Sequence, residues 1–268
     1  MYRNTFLSVM FLACCFNGSL CAQSDAQIYE RTCDAKTYPF SDPSPVATPN
    51  NSYYPYFRFD GFSMQAQEKQ WKMVVLENDY VKLTVTPEIG GKIWGAIDKV
   101  NNKEFVYTNG VVKFRDVAMR GPWTSGGIEF NFGIIGHAPT CSTPIDYLTK
   151  KNVDGSVSCH IFSYEWITRT VWNVEINLPK DKAYFTTHTT WFNQSSIDQP
   201  YYQWMNAGYA TKTGTRFYYP GTYSIGHSGD LHPYPIDEEG RDVSWYDNNN
   251  FGASKSLHII GDYNDYFG

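Results

Sequence analysis

Residues 168–178 and 183–193 alternate apolar and polar side chains and are separated only by Pro179-Lys180-Asp181-Lys182. Alternation at a period of two marks a strand with one packed face. A four-residue loop sets Leu178 opposite Ala183, so that Ile176 meets Phe185, Val174 meets Thr187 and Thr170 meets Trp191 on one face. The other face then carries Glu175 with Thr186, Asn173 with His188, and Arg169 with Phe192. A slip of one residue would bury Glu175 and His188, so the two faces specify each other. An antiparallel sheet with one packed side is the only arrangement this pattern allows.

Other strand signals follow one another from Phe62 onward. Residues 71–77 and 80–86 flank an Asn78-Asp79 turn, and residues 87–107 supply a Gly90-Gly91 turn and two further strands. Residues 145–151 and 157–165 flank another turn at 152–155, and strands are expected near 200–210 and 215–219. Aromatic residues make up 17% of the chain, and they suit a pleated surface. No stretch of convincing length has a helical period. The fold class is therefore all-β: a large antiparallel β-sandwich over residues 61–268, preceded by a polar, proline-punctuated segment at 23–60 that crosses a surface.

Residues 1–22 read as a signal peptide. Arg3 is followed by an apolar run at 5–16, too short to anchor in a bilayer, and the mature chain begins near Gln23. The expected location is outside the cytoplasm: periplasm, cell surface or medium. Cys14 or Cys21 offers an alternative lipid anchor, and no transmembrane anchor is expected. Cys33, Cys141 and Cys159 remain in the mature chain, either as one disulfide and a thiol or as small buried residues. A net charge of −5 argues against nucleic-acid binding, which needs a basic footprint. With no phosphate loop, no zinc spacing and no serine-nucleophile elbow, the sequence implies no cofactor and no metal.

The chemistry concentrates in RGPWTSGGIEFNFGIIGH, residues 120–137. Gly121, Gly126, Gly127, Gly133 and Gly136 let the backbone turn tightly or approach another surface, at an entropic cost that binding or catalysis would justify. Among them stand Arg120, Trp123, Glu129, Asn131 and His137. Glu129, flanked by Ile128 and Phe130, is the candidate general acid and His137 the candidate acid or base. Arg120, Trp123 and Asn131 are candidate ligand contacts, with Trp123 as a stacking platform. His188, Asn206, Tyr219 and His227 are further candidates on neighbouring strands and loops. The cluster His227, Asp230 and His232 invites a metal reading but fixes no geometry.

The run ENDYVKLTVTPEIGGKIWGAIDKVNNKEFVYTN (77–109), through Pro87, Gly90, Gly91, Ile93, Asp98, Lys99 and Glu104, resembles the opening of galactose-mutarotase-like β-supersandwich domains. With residues 120–137, 215–230 and 244–257 it resembles one exported bacterial family of undefined function, some members of which carry tetratricopeptide repeats. The resemblance implies a carbohydrate-facing supersandwich and leads one to expect more strands after Gly268, so the domain reads as C-terminally truncated.

Two functions follow as expectations. One is an exported, glycosidase-like enzyme working on a glycan from the 120–137 loop, with Glu165 and Glu175 as the available second carboxylates. The other is a non-catalytic carbohydrate-binding or regulatory module, which needs only stacking rings and hydrogen-bonding groups. A sugar epimerase using His137 and Glu129 is a third option.

Overall fold

In the computed structural model, residues 24–46, 56–58, 60–116, 121–133, 137, 139–200, 202–209, 213–225 and 229–248 are described. The strands are β1 (Gln27–Tyr38), β2 (Gln67–Glu77), β3 (Val81–Thr86), β4 (Lys92–Asp98), β5 (Lys103–Val106), β6 (Val112–Lys113), β7 (Arg115–Asp116) and β8 (Pro122–Trp123). There follow β9 (Ile128–Gly133), β10 (Asp146–Lys151), β11 (Val157–Glu165), β12 (Thr170–Leu178), β13 (Thr186–Asn193), β14 (Tyr202–Ala207), β15 (Tyr223–Ile225) and β16 (Leu231–Pro233). The only helical pieces among the described residues are three 3₁₀ turns, so the protein is nearly all β.

Eight strands form one sheet in the order β14-β9-β4-β3-β2-β1-β6, with β5 added beside β4, and β10 to β13 form a second, antiparallel sheet. The larger sheet is mixed, because β6 pairs parallel to β1. Val74, Leu76, Leu83, Val85, Ile93, Ile128, Phe130 and Phe132 of the first sheet meet Cys159, Ile161, Trp172, Val174 and Ile176 of the second in one core. Phe132 stacks on Trp172 with ring centroids 4.5 Å apart. Burying side chains of this size contributes about 1.5–3 kcal/mol each, and that burial holds the two layers together.

The β12–β13 hairpin keeps the expected faces but not the expected register. Ile176 lies opposite Thr187, Val174 opposite Thr189, Trp172 opposite Trp191 and Glu175 opposite His188, a shift of two residues. The connection is longer than four residues because it is tied elsewhere. Asn78 Nδ2 donates to the Pro179 and Lys182 carbonyls at 2.7 and 2.8 Å, holding the loop on the β2–β3 turn. Phe185 stays outside the ladder and packs near Phe105 instead. A shift of two leaves side chains on their original faces, so Val174 and Ile176 are buried while Glu175 and His188 point away from the core.

Two further expectations change. Residues 27–38, within the segment read as crossing a surface, form a twelve-residue strand paired along its length with β2. Most of its side chains remain exposed, which is why its polarity concealed it. Residues 215–219 form no strand; Arg216 makes a single bridge to Trp245, and the short β15–β16 ladder lies beyond it. The three cysteines are free: Cys141 and Cys159 are buried and Cys33 is half-buried. Burial pushes the Cys159 thiol up to about 12, so it behaves as a small apolar core residue.

Candidate functional site

Strand β9 alternates as its sequence requires. Ile128, Phe130 and Phe132 enter the core, leaving Glu129 and Asn131 on the open face of the larger sheet. Antiparallel pairing sets Asn206 opposite Glu129 and Trp204 opposite Asn131, on that same face. From β4, Ile93 points into the core beside Ile128, so Lys92 and Trp94 also face the opposite side of the sheet, where Trp94 joins a second buried cluster with Trp71, Met73 and Phe114. Gly127 makes the approach of the loop to β4 feasible. Its φ is +66°, and a Cβ there would stand 2.3 Å from the Ile93 carbonyl oxygen and 3.2 Å from the Lys92 stem.

The result is a buried polar cluster. Glu129, 2% exposed, accepts a hydrogen bond on Oε1 from Asn131 Nδ2 at 2.8 Å and lies 3.2 Å from His137 Nδ1. Among the described residues its Oε2 has no hydrogen-bond partner, and it stands 4.0 Å from Lys92 Nζ. Lys92, 1% exposed, donates to the Thr124 carbonyl at 2.5 Å and to Thr124 Oγ1 at 3.1 Å. Its ammonium lies 5.9 Å from the centroid of the Trp123 ring and 6.0 Å from that of Trp94. Burial draws the Lys92 amine below its ordinary range, and the Glu129 charge acts in the opposite direction. Burial drives the neighbouring Cys141 thiol well above its usual range, with the Glu129 charge adding to the effect, so Cys141 stays protonated.

His137 closes the cluster toward solvent. Its backbone is left-handed, φ 52°, and its side chain is 22% exposed. The indoles of Trp204 and Trp123 meet the imidazole edge to face, at 4.8 and 6.1 Å. Glu129 thus holds the imidazole from behind while the two indoles fix its plane. A carboxylate buried to this degree orients its neighbour; the imidazole, which reaches solvent, is the group that can meet a ligand.

The structure gathers five of the expected residues, Trp123, Glu129, Asn131, His137 and Asn206, around one point. It places His188 on the outer face of the other sheet, opposite Glu175 and away from this cluster. Tyr219 is exposed, stacked on Phe217 and edge-on to Tyr234, and its described contacts stay within the 213–248 segment. Arg120 and His227 lie outside the described residues. Asp230 and His232 are exposed. The two expected partner carboxylates are committed elsewhere. Glu165 accepts hydrogen bonds from the Ile167 and Thr168 backbone and the Thr168 hydroxyl, and Glu175 accepts one from Ser158 Oγ at 2.6 Å.

Sequence reasoning missed Lys92 and Trp204. The signal was present in both: Lys92 and Trp94 alternate with Ile93 in a strand that is otherwise apolar, and Trp204 alternates with Asn206.

An all-β sandwich with a lysine–carboxylate–histidine cluster on the open face of its larger sheet is the class this fold and site define. The chain belongs to the family described as a domain of unknown function, DUF5107, whose model matches residues 48–268. It is also similar to a solved TPR-domain containing protein from Parabacteroides distasonis, with a TM-score of 0.72 and 25% identity. That match covers 84% of this chain and 39% of the other, so the chain spans well under half the length of that protein.

Proposed function

We propose that this domain binds a carbohydrate on the open face of its larger sheet and that His137 moves a proton on the bound sugar. One observation carries the reading: a buried carboxylate, Glu129, lies 3.2 Å from an imidazole that is 22% exposed and meets two indoles edge to face. Tryptophan faces and edges suit the alternating apolar and hydroxylated surface of a sugar ring, and Asn131 and Asn206 add amides to the same face.

This geometry supports acid–base chemistry on the sugar ring, as an epimerase performs, more than hydrolysis. Glycoside cleavage ordinarily uses two carboxyl groups about 5–9.5 Å apart across the bond. Glu129 is buried behind His137, and Glu165 and Glu175 belong to the other sheet. A purely binding role uses the same surface without proton transfer.

The experiment is a panel of free sugars and glycans, scored for binding, for anomer or epimer interconversion by proton NMR, and for release of reducing ends. Interconversion lost in His137→Ala, with binding retained, supports the reading. Binding without any conversion assigns a binding module, and release of reducing ends restores the glycosidase. Binding of none of the panel refutes the carbohydrate reading.

We further propose that the protein is exported, its mature chain beginning near Gln23. N-terminal sequencing and mass of the mature protein test this. A lipid adduct on Cys14 or Cys21 would assign an anchor, and an intact Met1 in the cytoplasmic fraction would refute export.

A further inference from the structure

Lys92 is a buried amine that the proposed chemistry leaves without a task. It touches no solvent, lies outside the sandwich core, and comes from a different strand than the two groups it serves. The charges around it decide what His137 can do. From β9, Glu129 presents Oε2 to Lys92 Nζ at 4.0 Å and Oε1 to His137 Nδ1 at 3.2 Å. From the 3₁₀ turn at Pro139–Ser142, Cys141 faces the cluster as a thiol. β8 contributes Trp123, and β14 contributes Trp204 and Asn206, none of them charged. On β7, Arg115 lies opposite Trp123 and is the nearest further cation by register, its guanidinium resting 4.1 Å from the Phe62 ring centroid. Asp116 lies opposite Pro122, one residue out of step with Trp123.

Such a cluster can hold its protons in two ways. In one, Lys92 is the cation, Glu129 the anion and His137 neutral. In the other, Lys92 is neutral and His137 is the counter-ion. The geometry around Nζ favours the first. Its neighbours are a carbonyl oxygen, a hydroxyl oxygen and a carboxylate oxygen, all able to accept, with two indole faces nearby. That surrounding suits an ammonium, which has three donors and no acceptor. His137 has water within reach and can release its proton. An ionised Glu129 Oε1 can only accept, so neutral His137 must carry its proton on Nδ1 and leave Nε2 bare.

We propose that Lys92 is a positioning residue: its buried ammonium balances Glu129, so that His137 stays neutral near pH 7 and presents a free Nε2 to the ligand. Without that cation the Glu129–His137 pair must take up a proton itself, either as an imidazolium facing a carboxylate or as a neutral carboxyl. His137 would then lose its role as a base. This inference rests on the assignment of His137 to the ligand, but its test needs no ligand, so the two can fail separately.

The test is long-range ¹H–¹⁵N NMR on protein labelled at histidine, with His137 assigned by its loss in His137→Ala. The wild type should show a neutral Nδ1–H tautomer at pH 7. Lys92→Met should move the protonation of His137 upward by at least about one pH unit, tenfold in proton affinity, or show proton uptake by Glu129 in its place. Lys92→Arg should restore the wild-type profile. A charged His137 at pH 7 in the wild type, an Nε2–H tautomer, or an unchanged titration in folded Lys92→Met each overturns the proposal. Should Lys92→Met not fold, the wild-type tautomer and a ¹³Cε-lysine spectrum still decide it, since an uncharged Lys92 at pH 7 is equally fatal.

Discussion

His137 Nδ1 and Glu129 Oε1 stand 3.2 Å apart, one half-exposed and the other almost wholly buried. This asymmetry assigns different work to two residues that the sequence presents as equals. Glu129 serves the fold and orients the ring; His137 meets whatever binds.

Glu129→Ala should therefore destabilise the protein as well as disable the site. It leaves the buried Lys92 ammonium without its counter-charge, and breaking a buried pair in this way typically costs about 3–5 kcal/mol. Glu129→Gln keeps the shape and an acceptor oxygen, and should cost less. Urea unfolding of the three proteins measures the difference; equal stability of wild type and Glu129→Ala would show that the cluster carries no such charge.

Trp123 and Trp172 make a matched pair of tests. Trp172 is fully buried against Phe132, so Trp172→Ala should cost about 3–5 kcal/mol of stability and leave ligand affinity per folded molecule unchanged. Trp123 is only half-buried beside His137. Trp123→Ala should weaken glycan binding by roughly 1–3 kcal/mol, by analogy with base stacking, at a smaller cost in melting temperature. Calorimetric titration and thermal melting on both variants separate them, and the opposite pattern would move the ligand away from this face.

Gly127→Ala probes the loop backbone. The new methyl would meet the Ile93 carbonyl at 2.3 Å in a left-handed conformation. The chain must shift off β4, and the Gly127 N–H to Tyr107 carbonyl bond at 2.8 Å goes with it. We expect loss of stability together with exposure of Lys92, read as faster chemical labelling of that amine. Unchanged labelling would mean the loop tolerates a side chain.

Acid should remove one contribution in a defined window. Burial raises the Glu77 carboxyl, but hydrogen bonds from Lys99 and Tyr29 and the charges of Lys82 and Lys99 outweigh it, and the group titrates below its ordinary value. A carboxylate depressed on folding stabilises fully above its unfolded value, about 4.3, and that contribution disappears as pH falls through the folded value. Partial exposure limits it to about 0.2–1 kcal/mol. Lys99→Met should flatten the stability profile in this range, and an unaltered profile would show that the Lys99 contact at 2.7 Å contributes nothing.

Much of this architecture was legible in the sequence, for reasons that also explain the failures. Strict alternation revealed β12 and β13 and their faces, because a face is fixed by period alone, and the turn at 152–155 revealed β10 and β11. The register was not, because it depends on how Asn78 ties down the connecting loop from a hundred residues upstream. β1 escaped because a strand exposed along most of its length carries no apolar signature. At the site, glycine density pointed to the loop that carries the buried cluster, and alternation set Glu129 apart from its apolar neighbours. What remained hidden was the buried lysine. A lysine in a strand reads as solvated surface until tertiary contacts with Trp94, Trp123 and Gly127 enclose it.

One wall of the site is less secure than the others. β14, which carries Trp204 and Asn206, stands at the end of the larger sheet and, among the described residues, pairs only to β9. Its partner precedes it by the whole of the second sheet, so no local hairpin holds it in place. Edge strands with a single neighbour exchange their amide hydrogens through openings far cheaper than global unfolding. The ring that packs on His137 is thus carried by an edge strand, so the site's β14 wall rests on one ladder and on the Gly208 bonds to Tyr107 and Gly127 just beyond it, while its β9 wall is anchored on both sides.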